Sequence, residues 1–353
     1  MNKRSSTIRI AIIGTGGMAN THAGEFAKIP GCKLVAAADI DAARVKAFAE
    51  KHDIPRIFTR AGDLLKNVEV DAVSIVTPDP FHANLAIECL RAGKHVLCEK
   101  PLALNHADAS RMVAAARKAR RIHMVNFSYR NWPAIHGIAK VIQSGEIGEI
   151  RHVEASYLQA WLASKVWGDW HNTPALLWRL SSRHGSKGVL GDVGVHILDF
   201  ATFPVGPISK VYCRLKAFHK APRNRIGEYT LDANDSATIN VEFGNGALGV
   251  IHTTRWAGGH ANNLTLKIFG AKGGVEFNSE ISDNTFRLCS GANLDKCKWK
   301  DVKAPRVPNM YQRFIASIRA NKQGQPDFIR GAEIQKILDS CFESNKRNQP
   351  VKL

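Results

Sequence analysis

Three groups of residues in this chain have types and spacings that could do chemistry. The first is the turn Gly14-Thr15-Gly16-Gly17-Met18-Ala19, which follows the apolar run Ile8 to Ile13 and opens a helix-like stretch. Glycine at the first two motif positions permits a tight turn, and it lets backbone N–H groups approach a pyrophosphate that a helix N-terminus then stabilises. Ala19 in the third motif position still allows close helix packing. Asp39 ends the next apolar run, near the spacing of about 20 residues at which a dinucleotide site places its acid. Asp39 would accept hydrogen bonds from the adenosine ribose hydroxyls and repel a 2′-phosphate, which favours NAD over NADP. Arg44 is the counterweight, since it could turn toward a phosphate; a solvated helix position is its plainer reading.

The second group lies where two later apolar runs end, in Thr77-Pro78-Asp79-Pro80-Phe81-His82 and in Glu99-Lys100-Pro101. A residue before proline is pushed out of helical geometry, so Lys100 should be held extended, with its cation directed at the edge where such sheets bind ligands. The cofactor contacts expected on these grounds are Gly14, Gly16, Gly17, Met18, Asp39, Thr77, Pro78, His82, Glu99 and Lys100. The third group is Asp192, His196 and Asp199. On a helix at 100° per residue with Asp192 at zero, His196 falls at about 40° and Asp199 at about −20°, opposite a broad apolar face. Periodicity leaves two readings open: a proton-transfer stripe, or a helix end with a solvated histidine and two surface acids. Gly191 and Gly194 cost a helix about 1 kcal/mol each, which suggests that something approaches the backbone there.

The elements that must position these residues are legible in outline. From residue 8 to about 127, β-branched runs (Ile8 to Ile13, Lys33 to Ala38, Arg56 to Thr59, Ala72 to Val76, His95 to Cys98, His123 to Phe127) alternate with helix-like stretches such as Asp41 to Lys51, Ala83 to Ala92 and His106 to Ala119. That order predicts an α/β, doubly wound parallel sheet of the Rossmann type over residues 1–127. Beyond it, over 128–353, come a helix (Ala134 to Gln143), a strand (Glu149 to Leu158), a Trp-rich irregular stretch and a helix (Val189 to Phe203). Alternating strands follow at Ser236 to Phe243, Ala247 to Thr254 and Leu264 to Phe269, the first two joined by the hairpin signal Gly244-Asn245-Gly246. Two helices, Met310 to Ala320 and Ala332 to Asn345, come last. The prediction is an α+β domain with a large open, mainly antiparallel sheet.

Composition bounds the rest. The 353 residues hold 49 Lys plus Arg against 31 Asp plus Glu, a formal charge of +18, with 44% hydrophobic residues. This is too apolar for a disordered polycation and long enough for two cores. No apolar run approaches the ~18 residues of a membrane span, so neither membrane nor export is expected. The seven cysteines include no tight pair of the kind a metal or redox site needs, so no metal is expected and a reducing, cytoplasmic setting is. The basic clusters at Arg117 to Arg121, Lys210 to Arg225 and Lys296 to Arg306 lack stacking platforms and finger patterns, which argues against nucleic acid.

The motifs together resemble the glucose-fructose oxidoreductase / inositol dehydrogenase (Gfo/Idh/MocA) family over essentially the full chain. The resemblance is carried, in order, by the GxGxxA turn, the TPxxxH segment, the AGKHVxxEKPLA run from Ala92 to Ala103, Tyr129-Arg130 to Pro133, and Gly188 to His196 with its DxGxH pattern. The Gly331-Ala332-Glu333 helix and the Pro350-Val351 ending also fit. It implies an NAD(P)-dependent oxidoreductase acting on a ring hydroxyl or ketone of a sugar, sugar derivative or inositol, and a cis peptide between Lys100 and Pro101. It further implies that His196 exchanges the hydroxyl proton, that Asp192 binds a neighbouring hydroxyl and that Lys100 stabilises charge on the reacting oxygen. Two other activities fit the resemblance, an NAD-retaining glycosidase and a non-catalytic sensor; the presence of Lys100 and His196 argues against the sensor. Two departures are Ser186-Lys187-Gly188, where the family commonly has three glycines, and Asp79, where an Asn is frequent.

Substrate choice points to the aromatic stretch. Trp161, Trp167, Trp170 and Trp178 lie among Lys165, His171, Asn172 and Arg179, a mixture suited to a sugar ring, although tryptophans there could equally anchor the segment to a core. Arg130, Tyr157, Trp161, His171 and Arg179 are the substrate contacts expected. A homodimer or homotetramer through the open sheet, Ser236 to Phe269, is implied by the resemblance.

Overall fold

The structure is a computed structural model describing residues 7–353. The short apolar runs of the first part form six strands, β1 (Ile8–Ile13), β2 (Cys32–Ala38), β3 (Ile57–Phe58), β4 (Ala72–Ile75), β5 (His95–Cys98) and β6 (His123–Val125). They make one parallel sheet in the order β3-β2-β1-β4-β5-β6. The helices α1 (Gly17–Ala27), α2 (Ala42–Lys51), α3 (Ala61–Asn67), α4 (His82–Arg91) and α5 (His106–Ala119) make the connections. Asp41 caps α2 and Asn105 caps α5 through side-chain oxygens. Helix α3 was not anticipated, because its one buried residue, Leu64, leaves too weak an apolar stripe to read. Ile13 lies opposite both Ala38 and Ile75, and Ile75 opposite Cys98. This register brings Gly14, Asp39, Val76 and Glu99 off the sheet side by side, at the edge where strand order reverses.

The residues cluster into two units: the chain up to Ser128 with Pro308–Gln335, and Tyr129–Val307 with Lys336–Leu353. The stretch Pro308–Gln335, expected in the second domain, thus returns to the first. Met310, Tyr311, Phe314 and Ile315 are buried in one core with Ile10, Ile12 and Phe26. Helical periodicity announces a buried face but does not say which core it covers.

The second unit contains α6 (Pro133–Gln143), β7 (Ile150–Leu158), α7 (Pro174–Leu177), α8 (Val195–Val205), β8 (Ile208–Lys216), a short hairpin of β9 (Arg225–Ile226) and β10 (Tyr229–Thr230), then β11 (Ser236–Phe243), β12 (Leu248–Thr254), β13 (Asn263–Gly270), β14 (Gly273–Asn278), β15 (Thr285–Ser290), β16 (Lys300–Lys303) and β17 (Val351–Lys352). Nine strands form one sheet in the order β16-β15-β14-β13-β7-β12-β11-β8-β17. Its one parallel pair is β7 with β12; the β11–β12 hairpin forms as its turn residues predict. Burial alternates along β11, with Ala237, Ile239, Val241 and Phe243 inside and Thr238 and Asn240 exposed, as a sheet covered on one face requires. Trp161 and Trp170 are buried with Leu162, Leu177, Leu180 and Leu231 in a satellite core. Trp167 and Trp178 remain exposed.

The helix expected at Val189 to Phe203 begins instead as a π-turn, Leu190–Gly194, before α8 continues regularly. Hydrogen bonds of the i→i+5 type widen the turn, so the uniform 100° projection fails here and Asp199 does not share a surface stripe with Asp192. Asp199 is buried, and accepts from Arg130 Nε at 2.6 Å and Nη2 at 2.7 Å. The Arg130 guanidinium also lies 3.6 Å from the centroid of the Phe203 ring. Arg130 is therefore a fold anchor and not the substrate contact expected of it. Cutting this pair leaves a buried guanidinium unanswered, so Asp199→Ala should lower the unfolding free energy by about 3–5 kcal/mol, measured by urea unfolding at pH 7.

Candidate active site

In the first unit the glycine turn is built as its sequence demands. Gly14 has φ +88°, and a Cβ there would lie 2.7 Å from the Val76–Thr77 peptide, so only glycine fits. At Gly16 and Gly17 a Cβ would meet nothing within 4 Å, which leaves the start of α1 open to a bound group. Ala19 is fully buried. Asp39 Oδ2 accepts from the Thr15 N–H at 2.8 Å and its hydroxyl at 3.0 Å, while Oδ1 accepts from the Asp41 N–H at 3.0 Å. Burial pushes the Asp39 carboxyl up, but these hydrogen bonds and the nearby Arg44 outweigh it and hold the group below its ordinary range. Arg44 lies 3.4 Å from Asp39 and 3.2 Å from Asp41, so its charge is already answered by carboxylates.

A dinucleotide fits this edge on two independent observations. The Thr77 Oγ1 is buried without a hydrogen-bond partner, a deficit that a polar ligand group would relieve. Met18, Ile40 and Phe81, at 50%, 87% and 54% exposure, present large apolar side chains just beyond the ends of β1, β2 and β4. Gly14, Gly16, Gly17, Asp39 and Thr77 would hold such a group. Pro78 opens the short turn Asp79–Phe81 beside them.

Two of the expected cofactor contacts have other duties. His82 is fully buried, with Nε2 2.8 Å from the Thr77 carbonyl and Nδ1 2.9 Å from that of Pro101, so it staples the two edge loops together. The Glu99 carboxylate turns inward: Oε1 accepts from Asn126 at 2.6 Å and lies 2.8 Å from His22 Nε2, and Oε2 accepts from the Lys100 N–H at 3.1 Å. His22 Nδ1 is 2.7 Å from the Ser74 hydroxyl. Burial raises the Glu99 carboxyl, but His22, the Lys100 charge and Asn126 outweigh it and hold the group at about 2. Glu99 thus fixes the backbone from which half-buried Lys100 projects; the peptide between Lys100 and Pro101 is cis.

In the second unit, Asn234 secures the start of the π-turn. It accepts from the Leu190 N–H through Oδ1 at 3.0 Å and from the Val189 N–H through its carbonyl at 2.7 Å, and donates to the Lys187 carbonyl at 3.0 Å. The space beside Gly191 and Gly194 is taken by Lys187 and Leu190, whose side chains a Cβ would meet at 2.3 and 2.9 Å. Packing of the preceding turn therefore accounts for these glycines. Asp192, about a third exposed, accepts from Arg255 Nη2 at 3.0 Å, with Arg179 Nε 3.7 Å away. Arg255 itself is fully buried; burial lowers its pKa, opposed chiefly by Asp192.

His196 is buried with Tyr129 edge-on at 4.8 Å between ring centroids and Tyr157 at 6.4 Å. Beside it Tyr129 and Tyr157 share a 2.5 Å hydrogen bond, Tyr157 donates to Asn262 Oδ1 at 2.7 Å, and Asn262 Nδ2 donates to the Tyr129 oxygen at 3.2 Å. Gln159 adds a bond to Asn262 at 3.0 Å and accepts one from Trp161 at 3.1 Å. Burial, reinforced by Tyr129, pushes the Tyr157 phenol well above its ordinary range, so it acts as a neutral hydrogen-bonding group. Of the expected substrate contacts, Tyr157 and Arg179 are gathered beside His196 and Asp192. Trp161 is 1% exposed and packs 4.9 Å below the Arg255 guanidinium, too enclosed to stack on a sugar. His171 stacks on Trp170 and bonds Asp169 at 3.0 Å in a separate ion cluster with Lys165.

Arg255, Asn234, Tyr129, Gln159 and Asn262 were not anticipated as site residues. Arg255 had a signal: burial alternates along β12 from Gly249 through Ile251 and Thr253, and one more step places Arg255 on the inward face. A charged residue in that phase must have a buried partner.

An open glycine turn on a doubly wound sheet, with a lysine at the same edge and an Asp/His pair in the second unit, defines a dinucleotide-dependent oxidoreductase of two domains. The family described as "Oxidoreductase family, NAD-binding Rossmann fold" matches residues 8–127, and the GFO/IDH/MocA C-terminal domain matches residues 135–276. The chain belongs to this Gfo/Idh/MocA oxidoreductase family. Levoglucosan dehydrogenase of Pseudarthrobacter phenanthrenivorans is 34% identical over 234 residues, covering 62% of this chain and 58% of that protein. Inositol 2-dehydrogenase of Rubrobacter xylanophilus is 29% identical over 360 residues, covering 100% of this chain and 95% of that protein. The solved structure of a levoglucosan dehydrogenase in complex with NADH is similar with a TM-score of 0.87 at 26% identity, covering 98% of both chains.

Glu99 gives this site a pH signature. Its folded value of about 2 lies below the ordinary 4.5, so its contribution to stability is complete above about pH 4.5 and is lost as pH falls toward 2. The linkage amounts to roughly 3 kcal/mol. Glu99→Gln should be destabilised at pH 7, and the gap between it and the wild type in urea unfolding should narrow steadily between pH 4.5 and 2.5.

Proposed function

We propose that the chain is an NAD-dependent dehydrogenase that oxidises a ring hydroxyl of a sugar, sugar derivative or cyclitol to the ketone, or catalyses the reverse. The observation that carries the dinucleotide half is the register of the sheet edge, which sets the open glycine turn, Asp39, the unpartnered Thr77 hydroxyl and Lys100 beside one another. The substrate half rests on the relatives, which are named for levoglucosan and inositol. NAD, when bound, supplies the hydride acceptor. Lys100 donates a hydrogen bond to the reacting oxygen and stabilises its developing negative charge. His196 takes the hydroxyl proton as the carbon loses its hydride, and in the reverse direction returns it. Asp192 accepts a hydrogen bond from a neighbouring hydroxyl, and Tyr157 and Arg179 extend the polar lining.

Asp39 favours NAD. Its carboxylate can hold the Thr15 N–H and still accept from a ribose, because it offers about four acceptor sites, while its charge repels a 2′-phosphate. Exposed Leu248 and Val250 on β12 support a homo-oligomer through the open sheet, and seven free cysteines suit a reducing cytoplasm.

A screen for NADH formation at alkaline pH, which draws off the released proton, tests the reading. Inositols, anhydrosugars, aldoses, glycosides and, given the charge of +18, acidic and phosphorylated sugars form the panel, each with NAD and NADP. Turnover of at least one ring hydroxyl is expected; reduction of NAD by none of them would refute the dehydrogenase. Lys100→Met should lower kcat by about a hundredfold or more with NAD affinity kept within about threefold, and near-normal turnover would remove Lys100 from the mechanism. Asp39→Ala should weaken NAD about tenfold and NADP little, since a hydrogen-bonded carboxylate is lost on one side only; an unchanged NAD/NADP ratio in fluorescence titrations would refute the ribose contact.

A further inference from the structure

Arg255 has no part in the proton and charge roles assigned above, yet its side chain is wholly enclosed and bonded to Asp192. Its placement is rigid. The main-chain N–H donates to the Asp235 carbonyl at 2.9 Å, and the carbonyl accepts from the Leu162 N–H at 3.2 Å. Nη1 donates to the Arg179 carbonyl at 3.0 Å, Nη2 to Asp192 Oδ2 at 3.0 Å, and the plane rests over Trp161. Three fixed directions on a planar fork leave the guanidinium one orientation.

The dependence between the two charges is lopsided. A carboxylate that is 32% exposed can be solvated on its open side, whereas the guanidinium, at 0%, has no access to water. Among the described residues, Asp192 is the one carboxylate in ion-pair contact with Arg255. Asp235 is near, but its Oδ2 is taken by Lys220 Nζ at 2.5 Å and the Phe218 N–H at 3.0 Å, and no side-chain hydrogen bond joins it to Arg255. Releasing Asp192 would leave the buried cation only the longer-range attraction of Asp235 and the Arg179 carbonyl, so the ion pair holds its carboxylate in place.

We propose that Arg255 is a positioning residue for Asp192: from the position just after β12, on its inward side, it pins Oδ2 and so presents the carboxylate to a substrate hydroxyl in one orientation. This builds on the reading of Asp192 as a hydroxyl acceptor. Arg255 touches no reacting atom; its Nη2 acts on the reaction through the Asp192 carboxylate, while its Nη1 braces only the main chain of Arg179. A loss at Arg255 is therefore a loss of the Asp192 contact, and the two cannot be lost twice.

The test joins structure and kinetics. Crystal structures of Arg255→Gln and Arg255→Lys should have the Asp192 carboxylate displaced or in several conformers, with more of the original position kept by Lys than by Gln. With NAD and levoglucosan or myo-inositol, Arg255→Gln should lower kcat/KM by about ten- to a hundredfold, the worth of one charged hydrogen bond, and Asp192→Asn by a similar factor. The double variant Arg255→Gln/Asp192→Asn should fall less than about threefold below Asp192→Asn. Asp192 unmoved in the Gln variant, or losses that multiply in the double variant, overturns the proposal. If Arg255→Gln does not fold, the Lys variant decides alike: Asp192 follows the shorter ammonium, or it stays and the proposal fails. If the wild-type enzyme oxidises neither levoglucosan nor myo-inositol, the kinetic arm uses whichever compound of the panel it does oxidise; if it oxidises none, the dehydrogenase reading fails and the crystal structures decide Arg255 alone.

Discussion

Charge removed from water has to be met at once by hydrogen bonds or by an opposite charge, and the functional parts of this chain are organised around four carboxylates that meet that demand. Glu99 is answered by His22, Asn126 and the Lys100 N–H, and the ring of partners draws α1, β4, β5 and the chain after β6 onto one point. Asp199 is answered by Arg130, which ties α8 to the segment ahead of α6. Asp235 is answered by Lys220 with both side chains at 0% exposure. Asp192 alone keeps an open side, and it is the carboxylate assigned to substrate. Removing one partner from any closed pair costs more than the pair contributes, since a lone buried charge remains. Such pairs therefore serve as registration devices, holding loops to a geometry that apolar packing alone would leave soft.

The two units use this constraint differently. In the first, hydrogen bonding closes the region beneath the sheet edge and leaves the edge itself open: the glycine turn faces empty space at Gly16 and Gly17, and Thr77 retains an unanswered hydroxyl. In the second, polar groups are arrayed around His196 and Asp192 in a connected network, with Tyr129, Tyr157 and Asn262 each both giving and receiving a hydrogen bond. Networks of this kind polarise one another and hold their members still. The π-turn at Leu190–Gly194 belongs to the same design, since the wider turn, clamped by Asn234, carries Asp192 just ahead of the regular helix that carries His196.

Much of the fold was legible because its signals are local. The strand runs, the glycine turn, the β11–β12 hairpin and helix α5 follow from periodicity and turn chemistry, which neighbouring residues decide. The site was legible where a motif restricts the backbone, as at Gly14 and at Lys100 before proline. It was misread where a residue type admits two roles. Arg130, Trp161 and His82 each carry groups suited to a ligand, and each is consumed elsewhere: Arg130 by a carboxylate 69 positions on, Trp161 by a core that Leu231 helps to close, and His82 by the carbonyls of Thr77 and Pro101. Helix Met310–Ala320 shows the same limit at a larger scale, since its apolar face is plain and its destination is not.

What the sequence by itself determined is the parallel sheet, its dinucleotide edge and the identity of Lys100, Asp192 and His196 as candidates, because steric limits on glycine and proline and the alternation of apolar residues act over a few positions. Tertiary structure decided which polar groups are spent and which remain available. Arg130 and Asp199 cancel each other across 69 positions, His22 and Glu99 across 77, and Arg255 meets Asp192 across 63. Pairings of that kind depend on which strands and loops pack together, and a buried charge has no way of announcing its partner until the chain has brought the two within about 3 Å.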